Sequence, residues 1–119
     1  MNVVVLRGSL SRAPRVRALQ SGDQLVVYDL TTRRHEERDD TVPVVWFDPP
    51  HTAAELDAGA EVVVVGRVRR RFYRAGERTQ SVTEVVADDV VPAGATRRVR
   101  AALRRVEATI TEVPAKPSG

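Results

Sequence analysis

EVVVVGRVRRRFYR, residues 61–74, is the stretch on which the fold turns. A valine run followed by arginines on alternate positions belongs to a long strand, because β-branched side chains favour extended backbone and alternate strand residues share a face. Gly66 inside it allows the sharp bend that a small closed barrel requires. Ala75-Gly76-Glu77 reads as a hairpin tip and Thr79 to Ala87 as the returning strand.

Working outward, Asn2 to Leu10 is a first strand ending near Pro14, Ser21-Gly22-Asp23 a turn, and Gln24 to Leu30 a second strand. The polar run Arg33 to Asp40 is an exposed loop, and Val42 to Phe47 a third strand. After Asp48-Pro49-Pro50, the capping-box spacing of Thr52 and Glu55, with Gly59 as a stop, predicts one short helix. The order β-β-β-α-β-β predicts an all-β protein: a five-stranded OB-fold Greek-key barrel over residues 1–91, with one short helix between strands 3 and 4. Pro92-Ala93-Gly94 then breaks the pattern, and residues 92–113 form a C-terminal extension. In it Arg97 to Arg105 fits a basic helix, whereas Ala108 and Ile110 alternating with Thr109 and Thr111 fit a strand. Residues 114–119, rich in proline and small residues, are expected to be a disordered end.

Composition agrees with one β-rich domain: 119 residues, 42% apolar with valine prominent, and only 4% aromatic. Lys116 is the sole lysine among 19 basic residues. A GC-rich genome choosing arginine codons accounts for that bias; so does contact with phosphates and bases, which guanidinium forks match and stack upon. With no cysteine and two histidines, neither a disulfide framework nor a zinc site is expected. The N-terminus lacks a secretion signal, and no run approaches the roughly 20 apolar residues of a membrane span, so a soluble cytoplasmic protein without membrane contact is expected.

Strand alternation puts Arg67, Arg69, Arg71 and Tyr73 on one side. Guanidinium groups ending in an aromatic ring attract phosphate and offer an unpaired base a stacking surface. The bland reading is an edge strand kept from aggregating by charge. It leaves the neighbouring aromatic pair, Phe72 and Tyr73, unexplained. Trp46 and Phe47 point to opposite faces, so at most one sits fully in the core, and Tyr28 shares parity with Val26 and Leu30 as a core residue with its hydroxyl at the rim. His35 and His51 are isolated, and Asp39-Asp40 and Asp88-Asp89 are adjacent pairs pointing apart. No nucleophile elbow, phosphate loop or metalloprotease motif is present, so no enzymatic activity, cofactor or metal is expected.

The pieces together resemble the bacterial single-stranded DNA-binding proteins. Gly8, Leu10, Pro14, Val16 and Arg17 look like the family's opening strand and turn; Tyr28, Leu30 and Thr32 its second strand; GRVRRRFYR and TEVVADDV its last two. LRRVEATIT, residues 103–111, is similar to an extra C-terminal strand that clamps subunits in the actinobacterial branch. The resemblance implies sequence-tolerant binding of single-stranded DNA by a homo-oligomer, a tetramer, at the nucleoid, in support of replication, recombination or repair. RNA offers the same phosphates and bases, since neither contact reads the sugar. The candidate binding residues are Arg17, Arg33, Arg34, Trp46, Phe47, Arg67, Arg69, Arg71, Phe72, Tyr73 and Arg74, with Val99, Leu103, Ala108 and Ile110 at the oligomer interface. By register Tyr73 matches one stacking aromatic, and Phe47, or Trp46 after a slip of one, another. Residues 33–40 carry no aromatic, Thr41 or Val42 stands where a third-strand aromatic is usual, and the sequence ends Pro-Ala-Lys-Pro-Ser-Gly without the acidic tip that recruits partners. These departures point to a divergent or accessory paralogue, and motivate an alternative: a barrel kept as a protein-interaction module.

Overall fold

Alternating burial closes the sheet on itself in the structure, a computed structural model that describes residues 1–33 and 38–112. Its strands are β1 (Val4–Leu10), β2 (Arg15–Ala18), β3 (Gln24–Thr32), β4 (Asp40–Phe47), β5 (Glu61–Ala75) and β6 (Arg78–Pro92), followed by helix α1 (Thr96–Thr111). Around the barrel the order is β1-β5-β6-β4-β3, and β3 returns to β1 through Ser9↔Thr31 and Leu10↔Leu30. All pairings are antiparallel except the parallel contact of β4 with β6 at Val44↔Val85 and Val45↔Val86. Inside lie Leu10, Val26, Tyr28, Leu30, Val44, Trp46, Val62, Val64, Val85 and Ala87. Each buried valine contributes roughly 1.5 kcal/mol or more.

Two glycines make the closure sterically possible. A Cβ on Gly8 would lie 2.3 Å from the carbonyl oxygen of Thr31, where β1 passes from β5 to β3. One on Gly66 would lie 2.1 Å from that of Val86, next to a register shift that gives β6 one extra residue, Asp88. The bulge adds local twist at the point where β5 leaves the barrel.

Four expectations are corrected. There are six strands among the described residues, not five, because the chain breaks around Pro14, which has no N–H for a ladder, and resumes as β2 along β3 from Arg15↔Val27 to Ala18↔Gln24. The expected helix between the third and fourth strands is a single 3-10 turn, His51–Ala54. Pro50 occupies the cap position with no side-chain cap bond, so the Thr52–Glu55 box does not form. The turn plugs the barrel end, burying Ala53, whose carbonyl accepts the Tyr28 hydroxyl at 2.7 Å. Tyr28 is therefore wholly internal, not at the rim, and burial pushes its phenol pKa up.

The fourth correction is the C-terminal element, a helix where a strand was expected. Val99, Ala102 and Val106 recur at helical spacing and pack on Val3, Val65 and Val91, covering part of the outer face of β5 and β6. The threonines that suggested a strand bond back to the helix: Thr109 Oγ1 donates to the carbonyl of Arg105 and Thr111 Oγ1 to that of Glu107, both at 2.9 Å. The expected tail at 114–119 lies outside the described residues. No helix among those described is long and apolar enough to cross a membrane.

Candidate nucleic-acid interface

Beyond the barrel β5 and β6 continue as a two-stranded arm. The pairing of β1 with β5 ends at Val4↔Gly66. The Asn2 side chain extends it by one step, its Nδ2 donating to the carbonyl of Val68 at 2.7 Å while its Oδ1 accepts from the Val68 N–H at 3.0 Å. From Arg69 to Ala75, about 20 Å, only β6 flanks β5 among the described residues. With Val62 and Val64 inside the barrel, strand parity places Arg67, Arg69, Arg71 and Tyr73 on the outer face, opposite Val86, Glu84, Val82 and Gln80.

Where the arm leaves the barrel, this face becomes one wall of a groove. Leu25 and Val27 of β3 and Val45 and Phe47 of β4 supply an apolar floor, with Arg17 of β2 on one side and Arg69, Arg71 and Glu84 on the other. Phe47 is 38% exposed and has the Arg69 guanidinium 5.2 Å from its ring centre. Tyr73, 40% exposed, has that of Arg71 at 5.5 Å and donates from its hydroxyl to Gln80 Oε1 at 3.1 Å.

Glu84 organises this wall. Its side chain, 2% exposed, accepts from Arg69 Nη2 at 3.2 Å and from Arg71 Nε at 2.8 Å. A carboxylate so buried must be paired, and these two bonds fix both guanidinium groups beside the rings. The trio keeps one net positive charge, so Glu84 trades part of the groove's attraction for anions against preorganisation. It is the site residue that the sequence reading missed. The signal was present, because a two-residue tip at Gly76-Glu77 sets Ala75 opposite Arg78 and thereby Glu84 opposite Arg69.

The other candidates separate by position. Trp46 points inward and packs in the core with Tyr28 and Val44, which removes it from the binding set and leaves Phe47 as the exposed member of the pair. Phe72, 64% exposed, lies with Arg70 and Arg74 on the opposite face of the arm, with the Arg70 guanidinium 5.4 Å from its ring centre. Arg33 continues the outer row of β3 six residues past Val27, about 20 Å along the strand. It pairs with Asp39 at 3.6 Å, and Asp29, held by Arg12 and Arg15 at 3.0 and 3.2 Å, stands between it and the groove. Arg34 lies outside the described residues. In α1 Val99 faces the sheet, whereas Leu103, Ala108 and Ile110 are exposed.

Comparison with known proteins places the chain. From Listeria innocua, Single-stranded DNA-binding protein 2 is 34% identical and Single-stranded DNA-binding protein 3 is 33% identical over 99 residues. Each match covers 76% of this chain but only 62% of the relative's length, so the chain spans less than two thirds of the curated relatives it matches. A solved Plasmodium falciparum SSB complex with ssDNA superposes with a TM-score of 0.67, covering 77% of this chain and 94% of that one; at 20% identity the likeness is one of fold. The family described as Single-strand binding protein family matches residues 1–93, which take in all six strands and stop short of α1. By that match and by relatives above 30% identity, the chain belongs to the single-strand binding protein family.

Proposed function

We propose that this protein binds single-stranded DNA with little regard to sequence, along the groove and the outer face of the arm. The observation that carries the reading is the placement of Phe47 and Tyr73, both exposed on the one surface lined by Arg17, Arg67, Arg69 and Arg71. The arginines neutralise phosphates, and the rings take the faces of unpaired bases, which every base possesses. A duplex keeps its bases stacked on one another and offers these rings nothing. The protein acts without a catalytic step, in the cytoplasm at the nucleoid, in replication, recombination or repair, and as a homo-oligomer. Exposed apolar side chains at Val5, Val16, Leu103 and Ile110 support association between copies.

Titration of labelled oligo-dT, oligo-U and duplex DNA tests this. Oligo-dT should bind far more tightly than duplex, with log affinity falling against log salt by about 0.7 per phosphate neutralised. Equal affinity for duplex, or a response flat in salt, overturns it.

A further inference from the structure

The helix α1 carries five of the chain's arginines and one acid, Glu107. At 100° per residue Arg97, Arg100 and Arg104 fall within a sector of about 60°, opposite Val99, Ala102 and Val106, which pack on the sheet. All three are exposed, and none is in an ion pair among the described residues; on this helix only Arg105 is, with Asp89 at 2.9 Å. From Arg97 to Arg104 the row rises about 10 Å.

Resting on the function proposed above, we infer that this row is a second contact for the same DNA strand, engaged only when the strand is long enough to run from the groove across α1.

A solvated helix face mixes both signs of charge, and this one does not. The first turn has no acidic residue and Ala95 at the cap makes no side-chain bond, while Arg97, Arg98 and Arg100 crowd the end where the helix dipole is positive. Arg100 and Arg104, four apart, also repel. The helix tolerates this arrangement because its apolar face is docked, and a line of phosphates would relieve it. The docked face also argues against a membrane surface as the partner, since Val99, Ala102 and Val106 are already spent on Val65 and Val91. Position favours the DNA strand over an unrelated anion. The outer row of β5 that carries Arg69 and Arg71 continues through Arg67 into the cleft shared with Arg105 and Thr109 of α1. Asp88 and Asp89 also line that cleft, so the two basic surfaces are joined by a stretch near neutrality. That is why reach decides whether the second is used.

The test compares the full chain with Arg97→Ala/Arg100→Ala/Arg104→Ala on oligo-dT of about 8 nucleotides, within the site size of one barrel, and of about 30, beyond it. The short strand should bind both proteins equally. The long strand should lose roughly 100-fold at about 0.1 M salt, and its salt slope should shrink by about 2, three contacts at about 0.7 each. A second variant, Arg97→Glu/Arg100→Glu, complements the dipole, so it should melt at a higher temperature than the parent while binding the long strand still more weakly. Unchanged long-strand affinity in both variants overturns the inference and leaves the row to an acidic protein or to solvent. Equal loss on short and long strands also overturns it, since the effect then passes through the groove. If the parent chain binds neither length, the proposed function itself fails.

Discussion

One strand, β5, leads two lives. From Val62 to Val65 it is buried on both faces, by the barrel core within and by α1 without; from Arg67 to Ala75 it is open on both, with the outward row carrying the groove's arginines and Tyr73. Both halves are extended strand paired with β6, so the difference in exposure lies in what each half is given to pack against. Burial is concentrated in the first half and the proposed ligand contacts in the second. Substitutions should therefore move one property or the other, and the residues at the boundary should move both.

The largest effect is expected at the boundary itself. Gly66→Ala puts a Cβ against backbone, the Val86 carbonyl, which cannot rotate away as a side chain would. Unfolding in urea should show a loss of about 3 kcal/mol or more, or no folded protein. A midpoint within experimental error of the parent would mean that the two halves are not separated by a steric hinge.

Within each half the two properties should come apart. Val106→Ala removes two buried methyl groups from the α1 contact and should cost about 1–2 kcal/mol of stability, with affinity for short oligo-dT unchanged. Tyr73→Ala should do the reverse: stability within about 0.5 kcal/mol, and binding weakened roughly 5- to 150-fold, the equivalent of about 1–3 kcal/mol for a lost stacking platform. If Tyr73→Ala melts early and binds normally, the arm is structural and the comparison collapses.

Glu84 offers a subtler break, because it serves both ends. Glu84→Gln keeps the shape but weakens the bonds to Arg69 and Arg71, which are one third and one half exposed, so the stability loss should stay near 1 kcal/mol. The groove meanwhile gains one positive charge. Affinity for oligo-dT should rise and its salt slope steepen by up to about 0.7. Loss of both stability and affinity would show instead that holding the two guanidinium groups in place matters more than the charge they give up to Glu84.

The order of strand-like segments was enough to read the barrel, and the alternation of residues 67–73 to read the arginine face, because period two sets which side chains share a side. What escaped was decided by packing between distant segments. Residues 108–111 alternate like a strand, yet four residues cannot outweigh Val99, Ala102 and Val106 once Val65 and Val91 present an apolar surface for a helix to cover. The uninterrupted valines 62–65 held the clue, since a strand buried on one face alternates and one buried on both does not. Thr52 and Glu55 had the right spacing for a capped helix, but the turn begins one residue before Thr52, capped by Pro50, which has no side-chain acceptor, and it ends at Ala54. Trp46 and Phe47 could not be told apart until the register of β4 on β3, with Val26↔Trp46, turned the tryptophan inward. Glu84 becomes a site residue only when the register is counted back from the Gly76-Glu77 tip, which sets it opposite Arg69 across the hairpin.

The smallest expected effect tests the faces of the arm directly. Phe72 is the more exposed of the two neighbouring rings, and by exposure alone it would be the better stacking platform. It stands on the face opposite Glu84 and the groove, with Arg70 beside it and the Arg70 Nη2 donating to Ser81 Oγ at 3.0 Å. A strand of DNA lying in the groove and along Tyr73 does not reach it. Phe72→Ala should therefore change oligo-dT affinity by less than about twofold, under 0.5 kcal/mol, and Tyr73→Phe should change it as little, because the ring face makes the contact and the hydroxyl is occupied with Gln80. Both are read in one titration series at a fixed salt concentration, after melting curves confirm the fold. Should Phe72→Ala abolish binding where Tyr73→Ala leaves it intact, the DNA lies on the inner side of the arm, and the outer row beginning at Arg67 is only the charged edge that keeps an exposed hairpin soluble.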